Sequence, residues 1–198
     1  MFDFDNIWDI CKNNTMLSKD RFEVIYNEIS LVKNTYPMAE VGVFRGGVAK
    51  MLCLLNKDFN VYLFDTFEGM PNKHSDFDVM DTGDIRCGEF KDLELKNIEI
   101  FFEQDKNAVF KIGTFPETSK GLENEIFSFC HIDCDLYYSC LESMNFFYPR
   151  LCKKGLIIVD DYGRPECPGV KKSIDEYCNE NNILINVLPD FQVIIRKK

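Results

Sequence analysis

The chain has 198 residues, 45% of them hydrophobic and 14% aromatic, enough for one well-buried domain (1–198) and too few for two ordinary ones. Its 33 acidic residues outnumber 23 basic ones for a net charge of −10, and no Lys/Arg cluster is long enough to track a phosphate backbone, so nucleic acid is not an expected partner. The opening MFDFDNIWDICKNN lacks the basic flank and apolar core of a signal peptide, no apolar run nears the roughly 20 residues that cross a bilayer, and nine cysteines without a CxxC pair read as reduced, mostly buried thiols; the expectation is a soluble, cytoplasmic protein without membrane contact.

Ser18 followed by Lys19-Asp20 reads as an N-cap, and Phe22, Ile25, Tyr26, Ile29 and Val32 recur at helical spacing, giving an N-terminal helical segment over 1–35 that Tyr36-Pro37 ends. MAEVGVF then reads as a strand that runs into Arg45-Gly46-Gly47. Val48, Met51, Leu52 and Leu55 resume the helical period, so the glycines occupy a strand-to-helix turn. VYLFD, Val61 to Asp65, is a second strand ending in an acid. From Thr66 to Phe90 the periodicity disappears in a segment containing Pro71 and His74 that is too long for a plain connection. It is either a lid or substrate loop, or a partly disordered insertion. Leu93 to Glu103 reads as a helix, Ala108 to Ile112 as a strand and Thr114 to Leu122 as a short helix or turn.

Two apolar runs follow, FSFCHI and GLIIV, with one helix-sized segment between them. Each ends in acids: Asp133 and Asp135 after the first, Asp160 and Asp161 after the second. A βαβ unit returns in the same direction, which brings both ends to one edge of a sheet. Four converging carboxylates are costly without positive charge among them, so a divalent cation is expected there. Gly169 to Asn181 reads as a further helix, and ILINVLP and FQVIIRK as a terminal antiparallel hairpin. The alternation of strand and helix indicates an α/β fold, a doubly wound, mostly parallel sheet of about seven strands.

In such sheets ligands sit outside the carboxyl ends of the strands. AEVGVFRGG occupies the first turn without a GxGxxG pattern, so a phosphate cradle is poorly supported. Gly42, Gly46 and Gly47 still allow close backbone approach, and Glu40 places negative charge where a pyrophosphate would be repelled. A cationic ligand suits this end, and S-adenosylmethionine carries a sulfonium and an amino group. Asp65, at the end of the next strand, is placed to accept from two ribose hydroxyls.

AEVGVFRGG, LFDTFEGMP, GEF, KIGTFPET, HIDCDLYYS, YPRL, GLIIVDDYG and PGVKKSIDEY, in this order, resemble the macrocin O-methyltransferase family of sugar methyltransferases, which use S-adenosylmethionine and magnesium. The resemblance runs from about Thr15 to Tyr177 and implies a Rossmann-like class I methyltransferase fold. It implies metal ligation by Asp133, Asp160 and Asp161, with Asp135 as general base. It also implies that Glu40, Gly42 and Asp65 hold the cofactor, with Gly113 and Phe115 near the adenine. Arg45, Gly46, Gly47 and Thr66, flanking these positions, and Asp133 complete the expected cofactor set. Cys134 replaces the usual glycine of HIDGD and has no assigned role. The region before Thr15 is short for the family, which bears on acceptor recognition and on self-association.

The expected acceptor is a sugar, as a glycoside or a glycan terminus. Its vicinal hydroxyls would chelate a hard ion that all-carboxylate ligands select, Mg²⁺, Mn²⁺ or Ca²⁺. A catechol-like phenol is the nearest alternative acceptor, and a glycosyltransferase with Asp133-x-Asp135 on a metal nucleotide is a more distant one. Asp135 has a second role open to it, N-cap of the helix beginning near Leu136 or Tyr137. His131 reads as a satisfied core histidine, and Tyr137 and Tyr138 suit either sugar stacking or core packing.

Overall fold

Apolar runs too short to be helices alternate with segments of helical period, and in a computed structural model these become the strands and helices of one layered α/β unit. The structure describes residues 3–32, 35–70, 75–79, 89–91 and 93–198. In chain order the elements are α1 (Phe4–Cys11), α2 (Lys19–Ser30), β1 (Met38–Val41), α3 (Gly47–Leu55), β2 (Val61–Asp65), α4 (Leu95–Phe101) and β3 (Ala108–Ile112). They continue with β4 (Phe127–Ile132), α5 (Tyr137–Arg150), β5 (Leu151–Val159), α6 (Pro168–Glu180), β6 (Ile185–Val187) and β7 (Val193–Arg196). The sheet runs β3-β2-β1-β4-β5-β7-β6; only β7 pairs antiparallel, with β5 and β6. Strand order therefore reverses between β1 and β4, which is where such a sheet opens a crevice.

The central strands are buried on both faces, as a parallel sheet requires. One face, with Val41, Cys130, Ile132 and Val159, packs against α5 and α6. The other, with Met38, Leu63, Phe129 and Ile158, packs against α1, α2 and α3. Ser18 caps α2 as expected, accepting from the Arg21 N–H at 3.3 Å. Helix α1 lies within the helical segment expected over 1–35, but its bounds were not legible: it has eight residues and only Ile7 and Cys11 buried, too little for a period to show. Its Trp8 ring meets the edge of Phe22 at 5.3 Å, so α1 is held by tertiary packing. All eight described cysteines are free thiols. No helix among the described residues is long and apolar enough to cross a membrane.

Pro71 and His74, within the long segment after β2, lie outside the described residues. A described part of that segment is anchored. Asp78 accepts from the Tyr137 N–H at 2.7 Å through Oδ1 and from the Ser75 N–H at 2.7 Å through Oδ2, so it caps the first turn of α5.

Candidate functional site

Register alone brings the acids together. Val41 pairs with Ile132, and Ile132 with Val159, so the next residues along the three strands, Gly42, Asp133 and Asp160, lie side by side at the carboxyl edge. The Asp133 N–H donates to the Val41 carbonyl at 2.8 Å and the Asp160 N–H to that of Ile132 at 2.9 Å, extending the ladder by one step. Gly42 has φ +87°, and a Cβ there would stand 1.8 Å from the Asp133 carbonyl oxygen. The glycine thus serves the close approach of two strand ends. Gly42→Ala is expected to cost about 2–5 kcal/mol, from left-handed backbone and overpacking together. Urea unfolding measures it, and an unchanged midpoint would mean that the two strand ends can part.

Asp135 and Asp161 both adopt left-handed backbone, with φ of 60° and 59°. Non-glycine residues persist there only where their surroundings impose it, commonly at functional sites. Cys167 Sγ lies 3.3 Å from Asp135 Oδ1 and 3.8 Å from Asp161 Oδ2. Burial opposes ionisation of Asp161, but a hydrogen bond with Asp135 and the charges of Arg21 and Arg164 hold its carboxyl below the usual range. Asp135 does not cap α5. Leu136 is the N-cap residue, without a side-chain bond, and Asp78 takes the capping role.

Positive charge does stand among these acids. Arg21, from the first turn of α2, donates through Nε to Asp160 Oδ1 at 3.0 Å and through Nη2 to Asp161 Oδ1 at 3.0 Å, with a still closer Nη2 contact to Asp160. Arg164 donates to Asp161 Oδ1 at 3.1 Å. His131 is fully buried between two acids, with Nδ1 2.8 Å from Glu40 Oε1 and Nε2 2.6 Å from Asp160 Oδ2. Burial alone would lower its pKa, but the hydrogen bonds and charges of Asp160 and Glu40 prevail and push it up to about 10. Asp133 differs from its neighbours. No described residue donates to its carboxylate, and burial together with the charges of Asp160 and Asp161 pushes its pKa well above the ordinary range.

A cavity of about 230 Å³ opens at the β1/β4 crevice. Glu40, Gly42, Gly47, Asp65, Thr66, Gly113, Phe115, Asp133, Asp135 and Asp161 line it, while Arg45, Gly46 and Asp160 do not. Arg45 lies over the Phe44 ring at 4.8 Å, Gly46 faces Phe102, and Asp160 is held behind Arg21. Glu40 Oε2 is buried and, among the described residues, has no partner within hydrogen-bond distance; burial raises this carboxyl, while His131 and the nearby Ala49 N–H at the start of α3 pull it down. Asp65 Oδ2 accepts from the N–H groups of Val43 at 2.7 Å and Phe44 at 2.9 Å, and Oδ1 from that of Phe67 at 2.8 Å. Asp65 therefore shapes the first turn as well as facing the cavity. Phe115 packs edge-on against Phe64 at 5.3 Å.

Sequence reasoning missed the opposite wall. Asn14, Thr15, Met16, Leu17 and Arg21 close the cavity on the side of the N-terminal segment. A Cβ on Gly47 would stand 2.8 Å from the Asn14 carbonyl oxygen, so that segment sits directly on the start of α3. No local signal marks these residues. Arg164 had one, its place three residues after Asp161 in DDYGR. Cys134 lines the cavity as well, while its Sγ packs against the core 3.5 Å from Cys140 Sγ. The Tyr137 hydroxyl donates to Glu176, away from the acids.

Comparison with known proteins gives a consistent picture. A family model described as macrocin O-methyltransferase (TylF) matches residues 9–191. The chain is 28% identical over 142 residues to the 8-demethyl-8-(2,3-dimethoxy-alpha-L-rhamnosyl)-tetracenomycin-C 4'-O-methyltransferase of Streptomyces olivaceus, covering 66% of this chain and 54% of that one. It is 26% identical over 183 residues to the demethyldecarbamoylnovobiocin O-methyltransferase of Streptomyces niveus, covering 83% and 67%. The chain thus spans between about half and two thirds of the length of these curated relatives. The solved structure of the O-methyltransferase NovP superposes with a TM-score of 0.77 at 23% identity, over 93% of this chain and 82% of that one. The fold is the class I methyltransferase fold, as expected.

Proposed function

This chain belongs to the macrocin O-methyltransferase family, and on that premise we propose that it transfers a methyl group from S-adenosylmethionine to a hydroxyl of a sugar, with a divalent cation, Mg²⁺ in the first place, as partner. One observation carries the reading: a single cavity is bounded by Glu40 and Asp65 on one side and by Asp133, Asp135 and Asp161 on the other. Methyl transfer from a sulfonium is an in-line displacement, so donor and activated hydroxyl must be held within contact distance. The family relationship favours this reading over metal-nucleotide glycosyl transfer. The rhamnosyl group in the name of the Streptomyces olivaceus relative favours a sugar over a catechol.

The residues fit the two absent groups. Glu40, with a buried oxygen that no described residue partners, suits the positive end of the methyl donor, Asp65 suits a ribose diol, and Gly113 and Phe115 suit the adenine. Asp133, Asp160 and Asp161 suit a hard cation, being three carboxylates on adjacent strand ends, one of them half-buried and, among the described residues, without a donor. Such an ion, when bound, orients vicinal hydroxyls and lowers the pKa of one. Asp135 is the base that takes the hydroxyl proton. His131 links the two halves, fixing Glu40 and Asp160 at once. The described ends of the segment 66–90 contribute Thr66, Gly69, Met70 and Phe90 to the cavity wall, which suits an acceptor-side loop. Eight free thiols accord with a cytoplasmic setting.

Titration calorimetry with S-adenosylhomocysteine tests the cofactor half. Asp65→Ala should weaken binding by about 10- to 100-fold, the worth of charge-assisted hydrogen bonds to two hydroxyls, and no wild-type binding at millimolar ligand sinks it. For the acceptor half, a vicinal-diol glycoside incubated with cofactor and Mg²⁺ should gain the mass of one methyl group. Transfer that survives a chelator refutes the cation.

A further inference from the structure

We propose that Arg21 is a built-in occupant of the cation site: its guanidinium holds Asp160 and Asp161 in the ion-free protein and is displaced when a divalent cation binds. The inference rests on the cation half of the reading above and adds to it a residue from a different face of the chain.

The argument is an account of oxygens. Asp160 Oδ2 faces His131 Nε2 at 2.6 Å, which leaves Oδ1 for any cation. Asp161 Oδ2 faces Cys167 at 3.8 Å, and its Oδ1 accepts from Arg21 at 3.0 Å and from the more exposed Arg164 at 3.1 Å. Asp160 Oδ1 and Asp161 Oδ1 are the pair that Arg21 Nη2 bridges, with Arg164 touching only the second of them. One N–H-bearing atom shared between carboxylates of consecutive residues makes the same pair of contacts as an ion ligated by both. A guanidinium and a divalent ion cannot share that pair, because positive charges a few ångströms apart in a poorly solvated site repel strongly. Occupation is therefore mutually exclusive.

Displacement needs only a side-chain movement. The backbone of Arg21 is fixed by the first turn of α2, by Ser18 and by Gln192, whose Nε2 donates to the Arg21 carbonyl at 3.4 Å. Its side chain is 10% exposed and lines the cavity, so the guanidinium has open space to enter. Among the described residues every side-chain hydrogen bond of Arg21 goes to Asp160 or Asp161. Arg164, by contrast, is 39% exposed on its side chain and also holds Glu166 at 3.2 Å. In the absence of an ion Arg21 offsets the repulsion among the acids; in its presence the same residue sets the apparent affinity, because the ion must first take its place.

The opposing reading is that Arg21 is a permanent ion pair and that any cation is held elsewhere, by Asp133 for example. Mn²⁺ binding to the full chain, followed by calorimetry and by loss of the free-ion electron paramagnetic resonance signal, separates the two. Arg21→Gln should bind Mn²⁺ at least about fivefold more tightly than wild type, within the usual range for coupled sites, with Arg21→Lys between them and Arg164→Gln less affected. Without ions the Tm of Arg21→Gln should fall, and saturating Mn²⁺ should restore it. Equal or weaker Mn²⁺ binding by both Arg21 variants overturns the proposal and leaves the cation site standing. Absence of Mn²⁺ binding in every protein overturns both. Should Arg21→Gln not fold in ion-free buffer, Arg21→Lys carries the comparison.

Discussion

Asp135→Asn is expected to lower kcat by about 10²- to 10⁴-fold, the usual worth of a general base, while Tm and the affinity for S-adenosylhomocysteine stay near those of wild type. The choice of asparagine follows from the backbone. Asp135 has φ 60°, a conformation that asparagine tolerates and alanine resists. Asp135 also forms a hydrogen bond with Asp161, a contact that an asparagine side chain can keep. What the variant loses is the capacity to accept a proton. A rate within threefold of wild type, with methylation still dependent on cation, would move the base elsewhere.

His131→Leu should have the second largest effect, on stability. The imidazole bridges Glu40 of β1 and Asp160 after β5, all three nearly fully buried. Removing the positive member of a buried ionic group leaves its partners uncompensated, at a cost of about 3–5 kcal/mol and a drop of roughly 6–20 °C in Tm for a chain of this size. The same contacts predict a pH dependence in protein freed of divalent ions. The folded-state pKa of His131, about 10, lies above the ordinary 6.5. Its stabilisation is therefore complete below about pH 6.5 and is lost as pH rises toward 10. Glu40 and Asp160 contact it directly, Asp133 adds negative charge nearby, and Arg21 stands behind Asp160. Wild type should lose stability across that window in urea titrations, and His131→Leu should show a flatter profile. Equal profiles would mean that His131 is neutral in the fold.

Much of the sheet could be read from residue order. FSFCHI and GLIIV are mostly apolar, as strands buried on both faces tend to be, and the helical segment between them forces a parallel return. Asp133 and Asp160 consequently end neighbouring strands whatever the details of packing. VYLFD likewise delivered Asp65 to the cavity, and Glu40 follows from its place in β1. The extent of local elements was less legible. α2 stops at Ser30, short of Tyr36-Pro37, and β5 begins at Leu151, ahead of the glycine where the apolar run starts. In both cases tertiary packing outweighs local pattern.

The sequence by itself determined which acids reach the carboxyl edge, because strand period, βαβ handedness and the order of elements are properties of the chain alone. The tertiary structure decided what meets those acids. Arg21 is 139 positions from Asp160 and arrives because α2 packs on the sheet face that carries Glu40 and His131. Asp78 takes the cap that Asp135 was a candidate for, Asp65 spends hydrogen bonds on its own turn, and the Cys134 thiol packs against that of Cys140. These are contacts between side chains of remote elements. No periodicity encodes them, since they depend on where helices settle against the sheet, and that is settled by burial summed over the whole chain.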